Sequence, residues 1–161
     1  MNYTKSISVL ICIGFLVNCS TPEEKLIPAN INHALHLVDS TEVPGDMLKW
    51  IAIYADAPSY EHIVDADEGA TCVDDVGRFM EVIEFEINKG NRQELLPLAE
   101  GMAKYLLYLS REDGLWYNFL FPDGSINKDH KNSVASFQWW AVRGLRGLGA
   151  SYRIFANQPR Y

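Results

Sequence analysis

Cysteine and histidine, which supply most disulfides and many metal sites, are scarce in this sequence. It contains three cysteines among 161 residues, Cys12, Cys19 and Cys72, and the first two lie in its N-terminal segment. If that segment is processed as described below, Cys72 remains alone and no disulfide can form within the chain. The histidines include His33 and His36, but no further ligand completes a recognisable metal-binding spacing. The sequence therefore predicts a fold that is held by its core, without a metal.

Positive charge is also in short supply. The chain has 14 lysines and arginines against 21 aspartates and glutamates, which gives a formal net charge of −7. This balance argues against binding of nucleic acid or of an anionic membrane surface. No phosphate loop, Gly-x-Ser-x-Gly elbow or dinucleotide fingerprint is present, and we expect no cofactor. With 48% hydrophobic and 22% charged residues, the composition is that of at most one ordinary globular domain.

Long hydrophobic runs are missing, and the most apolar stretch, 7–17, follows Lys5 at the start of the chain. It is too short to span a bilayer comfortably but fits the apolar core of an export signal. The residues that follow resemble a lipobox, in which the cysteine after the cleavage point is lipidated, although Asn18 stands where a small residue is usual. We therefore predict a lipoprotein signal peptide at 1–18 and lipidation of Cys19. The alternative is a plain secretory signal with an incidental cysteine.

A polar segment separates the predicted lipid from the folded domain. Residues 19–30 mix Ser, Thr, Pro, Glu and Asn, as in a short solvated tether. Glu23 and Glu24 resemble an acidic signal that sends some lipoproteins to the outer cell surface, but an ordinary polar linker has the same composition. We expect a protein of the cell envelope, anchored by lipid at the outer membrane of a Gram-negative cell, with residues 31–161 as its domain.

Hydrophobic periodicity predicts three helices, at about 71–88, 93–110 and 133–155. Their apolar stripes are, in order, Val73, Val76, Met80, Ile83 and Ile87; Leu95, Leu98, Met102, Tyr105, Leu106 and Leu109; and Val134, Phe137, Ala141, Leu145, Leu148 and Tyr152. The third helix contains Gly144, Gly147 and Gly149. Each glycine weakens a helix by about 1 kcal/mol relative to alanine, and close approach of a neighbouring helix would compensate.

Other local patterns complete the expected secondary structure. Thr71 and Asp74, at the start of the first predicted helix, resemble a capping box. The stretch 47–55 predicts a short buried strand, and residues 35–38 are assigned to a preceding helix. In the segment 115–130, aromatic residues alternate before a Pro-Asp-Gly turn, which predicts a structured loop with a short strand.

Two segments resemble exported proteins with a six-hairpin glycosidase-like fold. The run DEGATCVDDVGR at 67–78 resembles their Asp-Glu-Gly and Cys-Val-Asp-Asp-x-x-Arg stretch, and 116–127 with 133–145 resembles a later hairpin. The resemblance implies a mainly all-α fold, a partial α/α toroid of helical hairpins with a short strand or two in its loops. Because three clear helices cannot close such a ring, 31–161 is expected to be the N-terminal part of a longer protein. The alternative is a reduced module that associates through its uncovered apolar faces.

Asp74 and Asp75 are the leading candidates for catalysis. Glycoside hydrolysis normally uses two carboxyl groups, one protonated and one ionised. Successive helical positions diverge by about 100°, so we assign Asp75 to the cleft and Asp74 to the helix cap. The competing explanation is structural, because the helix dipole favours both carboxylates and Arg78 can pair with either of them.

Further candidates for substrate binding come from the loops and from the aromatic residues. They are Asp67, Glu68, Arg78, Trp116, Asp123, His130, Trp139 and Trp140. The two acidic residues before the first helix could reach over a cleft or belong to a solvated loop, and Asp123 is first a turn residue. The tryptophans could stack on sugar rings, although aromatics near helical stripes are more often core, and Trp139 and Trp140 cannot both face one way. His130 could position a hydroxyl group or be a surface histidine.

The sequence thus predicts an exported, lipid-anchored protein that acts on or binds an oligosaccharide or polysaccharide. As an enzyme it would be a glycoside hydrolase. Two other classes stay open: a non-catalytic carbohydrate-binding protein or inactive fragment of a longer glycosidase-like protein, and a structural lipoprotein without a ligand. Contact with the membrane is expected through the N-terminal lipid alone.

Overall fold

In the computed structural model, residues 30–156 can be described. The predicted signal peptide, Cys19 and most of the tether lie outside them, as do residues 157–161. The elements are α1 Asn32–His36, β1 Val38–Val43, β2 Asp46–Ile51, β3 Tyr54–Asp56, β4 Glu61–Ile63, β5 Thr71–Cys72, α2 Val73–Asn88, α3 Leu96–Leu109, β6 Phe119–Leu120 and α4 Trp139–Phe155. A 3-10 turn at Gln93–Leu95 precedes α3.

A β-hairpin opens the fold. β1 pairs antiparallel with β2, with Thr41 opposite Leu48. Gly45 takes a φ of 90° in the tight turn between the strands, a conformation that a side chain would strain. The residues that face the core are Thr41, Val43, Leu48 and Trp50. The hairpin packs on α3, where a Cβ added to Gly101 would lie 2.6 Å from Cγ of Lys49.

The prediction of a mainly α-helical, partial α/α toroid is wrong. Residues 30–156 form a mixed α/β fold with four α-helices and three two-stranded antiparallel sheets, β1–β2, β3–β4 and β5–β6. The short strand predicted within 115–130 is β6. The other strands outside 47–55 were not predicted, because they are short and carry polar outer faces: β1 reads VDSTEV, and only Thr41 and Val43 in it are buried. The strand predicted at 47–55 is two strands, β2 and β3, and the helix predicted at 35–38 ends at His36.

The first two predicted helices are confirmed. α2 begins at Val73 and ends at Asn88, and every residue of its predicted stripe is buried. α3 is the second predicted helix, and its stripe is buried except for Leu98, which packs against the same core while partly exposed. The buried faces of both helices could be predicted because large apolar side chains recur along them at helical spacing.

The third predicted helix exists, but its start and its buried face are wrong. α4 begins at Trp139 rather than at residue 133. Four residues of the predicted stripe are exposed, namely Val134, Phe137, Leu145 and Tyr152. The buried face consists of Trp140, Ala141, Gly144, Gly147, Ala150, Ser151 and Ile154. Because most of these side chains are small, they contribute little to a hydrophobic pattern.

α2 and α4 lie side by side and run in the same direction. Asp74 pairs with Arg143 near the N-terminal ends of the two helices, and Glu84 pairs with Arg153 near the C-terminal ends. The β5–β6 sheet lies at the N-terminal end, because β5 runs directly into α2 and pairs with β6 from the loop before α4. The loops that carry most of the predicted site residues therefore gather around the starts of α2 and α4.

Glycines allow α2 and α4 to approach closely. A Cβ at Gly77 would lie 2.5 Å from a backbone carbonyl oxygen of α4, and one at Gly147 would lie 2.8 Å from the Cα of Gly77. A Cβ at Gly144 would lie 2.5 Å from a buried tryptophan ring. The predicted close approach of a helix is thus found at Gly147, whereas Gly144 packs most closely against the ring of Trp116 from a loop. At Gly149 a Cβ would meet only a side chain of its own helix, at 3.6 Å.

Candidate functional site

An open cleft of about 850 Å³ lies between the loop before β5 and the loop after β6. Its lining residues are Ala66, Asp67, Tyr108, Phe121, Ser125, Ile126, Asn127, Lys128, Asp129 and His130. Two of them, Asp67 and His130, are site residues predicted from the sequence. The cleft combines ionisable side chains with two aromatic rings, those of Tyr108 and Phe121.

Asn127 holds the two walls of the cleft together. Its buried side-chain amide donates to the backbone carbonyls of Asp67, at 2.7 Å, and Glu68, at 3.1 Å. Its Oδ1 accepts hydrogen bonds from the backbone N–H groups of Asp129 and His130, at 3.2 and 3.1 Å. One side chain thus fixes the spacing between loops that lie 60 residues apart in the chain.

Ser133 holds the loop after β6, which forms the second wall of the cleft. Its fully buried hydroxyl accepts from the backbone N–H groups of Asn118 and Phe119, at 3.0 and 2.9 Å, and donates to the carbonyl of Asn127, at 2.6 Å. Buried groups that are satisfied in this way hold a loop in one conformation. The cleft is therefore shaped before any ligand arrives.

The polar side chains of the cleft are available to a ligand. Asp67 and Asp129 are exposed, and no cation among residues 30–156 forms an ion pair with either carboxylate. The ring of His130 packs 5.2 Å from the ring of Phe119, and its Nδ1 accepts from the backbone N–H of Asn132, at 3.3 Å. Nε2 is then the ring atom left to contact a ligand.

Two of the predicted loop residues, Asp123 and Glu68, accept hydrogen bonds from other residues of the chain. Oδ1 of Asp123 accepts from both the hydroxyl and the backbone N–H of Ser125, at 2.6 and 2.9 Å. These bonds lower the pKa of Asp123, and the residue serves the turn. Glu68 accepts from the hydroxyl of Tyr54, at 2.8 Å, and this hydrogen bond raises the pKa of Tyr54.

Asp74 lies outside the cleft lining, at the start of α2. Its Oδ2 is 2.7 Å from Nη2 of Arg78, and Nε of Arg143 is 3.5 Å from its Oδ1. Burial raises the pKa of Asp74, and the guanidinium of Arg78 opposes that shift. The predicted capping box is wrong, because Cys72 is the N-cap residue and α2 has no side-chain cap hydrogen bond. Asp74 is instead a buried carboxyl paired with two arginines.

Asp75 is the accessible member of the acidic pair. Its side chain is 36% exposed, against 9% for Asp74. Its Oδ1 lies 3.5 Å from Nη1 of Arg78, and its Oδ2 accepts from the thiol of Cys72, at 3.3 Å. Burial, together with the charge of Asp75, raises the pKa of Cys72 well above its usual value, which keeps it a neutral thiol. Arg78 is thus shared between both carboxylates.

The predicted aromatic residues separate into core and surface. Trp116 and Trp140 are 3% and 2% exposed, and the indole N–H of Trp140 donates to the carbonyl of Trp116, at 3.1 Å. Neither ring can offer a face to a sugar. Trp139 is 48% exposed, stands edge-on to Trp140 and lies one helical turn before Arg143, which contacts Asp74.

The sequence did not single out Tyr108, Asn127 or Lys128, all of which line the cleft. Tyr108 lies on α3, where its hydroxyl donates to the carbonyl of Gly124, at 3.1 Å. The ammonium of Lys128 lies 5.6 Å from the ring of Tyr117. The aromatic alternation before the Pro-Asp-Gly turn and the resemblance of 116–127 pointed to this loop, but no local pattern distinguishes Asn127 within it.

Within residues 30–156, no group of three or more histidine, cysteine, aspartate or glutamate side chains is arranged to hold a metal ion. No helix in the same part of the chain has the length and apolar character needed to cross a membrane. No protein-family model matches the sequence, and no curated protein is significantly similar to it.

Proposed function

We propose that this protein binds carbohydrate in the cleft between the loop before β5 and the loop after β6. The observation that carries this proposal is the preformed, open cleft in which unpaired carboxylates lie beside aromatic rings. Sugars present many hydroxyl groups and C–H-rich faces, and such sites bind them through polar acceptors combined with aromatic contacts. The resemblance of 67–78 and 116–127 to six-hairpin glycosidase-like proteins also favours a glycan as the ligand.

Asp67 and Asp129 would accept hydrogen bonds from sugar hydroxyls. Both are exposed at the cleft, and their backbones are held through Asn127. Their side chains therefore meet a ligand without first breaking an ion pair or reordering a loop. The ring of Tyr108 is fixed through its hydroxyl, which leaves ordered aromatic surface in the same cleft. Preorganisation of this kind lowers the entropic cost of binding.

The test is isothermal titration calorimetry of the full chain against a panel of neutral and charged oligosaccharides. For any glycan that binds, Asp67→Asn should weaken affinity about tenfold or more, since hydrogen bonds to charged groups are worth about 1.5–3 kcal/mol. Glu112→Gln is the matched control, because Glu112 is exposed and lies outside the cleft. Equal losses in the two variants, or no binding of any glycan, would refute the proposal.

A second candidate function is hydrolysis of a glycosidic bond near Asp75. The observation that favours it is the accessible carboxylate of Asp75, which shares Arg78 with the buried carboxyl group of Asp74, since glycoside hydrolysis relies on carboxyl groups. Asp75 would contact the substrate. Asp74, at 9% exposure, would act through Arg78 as a positioning residue.

Hydrolysis is tested by product release from any glycan that binds. Asp75→Asn should lower the rate by a factor of about 100 or more, as expected for loss of a general acid or base, with an unchanged melting temperature. Asp74→Asn should cause a smaller loss and a shifted pH profile. Binding without turnover by the unaltered chain would remove hydrolysis and leave the binding proposal intact.

We also propose that the chain is exported and anchored in the cell envelope through Cys19, so that its ligand is an extracytoplasmic glycan. The support is the apolar stretch 7–17 followed by a lipobox-like cysteine. Intact mass measurement should show a mature N-terminus at Cys19 that carries acyl groups. Cys19→Ser should abolish both the lipid and sedimentation with membranes. A mature protein cut elsewhere, with an unmodified cysteine, would contradict this assignment.

A further inference from the structure

Four positions form a seam along the side of α4 that faces away from the core. Three carry exposed apolar side chains, and the fourth is a partly exposed glycine. This α4 seam consists of Val142, Leu145, Gly149 and Tyr152. Their spacings of three, four and three are those of residues through which helices pack along each other. Val142 and Leu145 are each 47% exposed and Tyr152 is 74% exposed. Exposed apolar side chains that recur along one face of a helix are a feature of helix–helix interaction sites.

Gly149 gives the seam a second distinguishing feature. Gly144 and Gly147 are required by packing within the chain, because a Cβ at either would lie within 3 Å of a neighbouring group. At Gly149 a Cβ would meet nothing nearer than 3.6 Å. No contact among the described residues therefore calls for this glycine. What it does provide is a notch in the seam that admits a side chain from another helix.

We propose that the seam binds a second copy of this chain, with the two α4 helices packed antiparallel about a two-fold axis near Gly147. This alignment places Leu145 of each copy opposite Gly149 of the other, and Val142 opposite Tyr152. In a two-fold interface each residue contact occurs twice, so both copies supply a protruding leucine and a notch to receive it. The large and small residues of one seam therefore match the small and large residues of the other.

The charges beside the seam permit this pairing. Arg146 lies 2.7 Å from Glu81, and Arg153 lies 2.7 Å from Glu84, both on α2. Each guanidinium is thus neutralised within its own copy. Two seams can meet without juxtaposing unpaired like charges, which would oppose association.

The apolar area fits a weak dimer. Beside the seam, Phe85 is 37% exposed and shares a surface groove with Tyr152, so only a few apolar side chains per copy can contribute to the interface. Standard stable interfaces bury about 800 Å² per partner, and smaller ones are transient. Association should therefore depend on protein concentration, with monomer and dimer in exchange.

Sedimentation velocity of the full chain over a range of concentrations tests the proposal. The unaltered chain should show a monomer–dimer equilibrium. Leu145→Glu places a charge in the seam and Gly149→Leu fills the notch, and each should weaken dimerisation at least about tenfold. Leu145 is exposed in the monomer, and a Cβ at Gly149 would meet nothing nearer than 3.6 Å, so the melting temperature of dilute protein should not fall. Leu107→Glu is the matched control, because Leu107 is 58% exposed on α3, and it should leave the dimer intact.

Three results would overturn the proposal. The first is a monomer at every concentration. The second is a dimer that keeps its strength in both Leu145→Glu and Gly149→Leu, because it is then held by another part of the chain. The third is equal weakening by Leu107→Glu, because the effect is then one of general surface hydrophobicity.

Discussion

Burial and charge oppose each other at Asp74. Burial raises the pKa of its carboxyl group, Arg78 and Arg143 lower it, and the neighbouring Asp75 raises it. Burial prevails, so ionisation of Asp74 is less favourable in the folded chain than in water. The fold therefore tolerates a charge here at some cost in stability, a pattern found at functional sites and also in structural ion-pair networks.

We expect the unaltered chain to lose stability relative to Asp74→Asn as pH rises. The pKa of Asp74 is raised in the folded state, so the folded chain keeps this proton to higher pH than the unfolded chain does. The advantage of the protonated form is fully present below the unfolded-state pKa and is lost as pH passes through the folded-state pKa. Urea denaturation of both proteins between about pH 3 and pH 7 measures it. A pH-independent difference would contradict the assigned shift.

Ser133 should be a strongly stabilising residue of the cleft wall. Ser133→Ala removes a buried hydroxyl that serves the N–H groups of Asn118 and Phe119, and we expect a loss of about 2–3 kcal/mol in the free energy of unfolding. Ser136→Ala is the control from the same loop, since its hydroxyl makes one exposed bond to a carbonyl, and it should cost less than about 0.5 kcal/mol. Similar losses in both variants would show that the wall does not depend on Ser133.

The elements differ in how far the sequence reveals them. α2 and α3 were predictable because large apolar residues repeat at helical spacing along their buried faces. The buried face of α4 was not, because glycine and alanine make its contact with α2, while larger residues such as Leu145 point outward. β1 was missed because its outward residues are polar and its pairing with β2 depends on the turn at Gly45.

Substitution of alanine for each of two glycines in α4 should have opposite effects on the free energy of unfolding. At Gly147 a Cβ would lie 2.7 Å from Cδ1 of Leu106 and 2.8 Å from the Cα of Gly77, so Gly147→Ala should destabilise the chain by about 1–3 kcal/mol. At Gly149 a Cβ would meet only Nη1 of Arg153, at an ordinary contact distance of 3.6 Å, so Gly149→Ala should stabilise the chain by about 0.5–1 kcal/mol through higher helix propensity. Chemical denaturation of dilute protein compares them. A destabilising Gly149→Ala would mean that α4 packs differently.

A single core joins the N-terminal hairpin to the helices. Leu48 and Trp50 of β2 are buried with the apolar faces of α2, α3 and α4. We expect Leu48→Ala to lower the free energy of unfolding by about 2–5 kcal/mol, whereas Met47→Ala, at an exposed neighbour, should change it by less than about 0.5 kcal/mol. Tryptophan fluorescence and far-ultraviolet circular dichroism should report one transition. Separate transitions would show that the hairpin folds independently.

The cleft depends on contacts that no local pattern encodes. The sequence identified Asp67 and His130, yet their relation is set by Asn127, which joins loops 60 residues apart, and Tyr108 from α3 completes the cleft lining. Prediction from single residues also placed Trp116 among sugar-binding groups, whereas the fold uses it as core. Residue chemistry could be read from the chain, but the partners of each residue required the tertiary structure.

The central claim is tested most directly by titrating the isotopically labelled chain with an oligosaccharide that binds to it and following the amide chemical shifts. Binding in the cleft should shift the amides of 65–69, 121 and 123–130, and that of Tyr108, in a saturable manner. Asp67→Asn should weaken those shifts together. Amides on the outer face of α4 should not respond. Shifts confined to another surface, or none with any glycan, would contradict a carbohydrate site in this cleft.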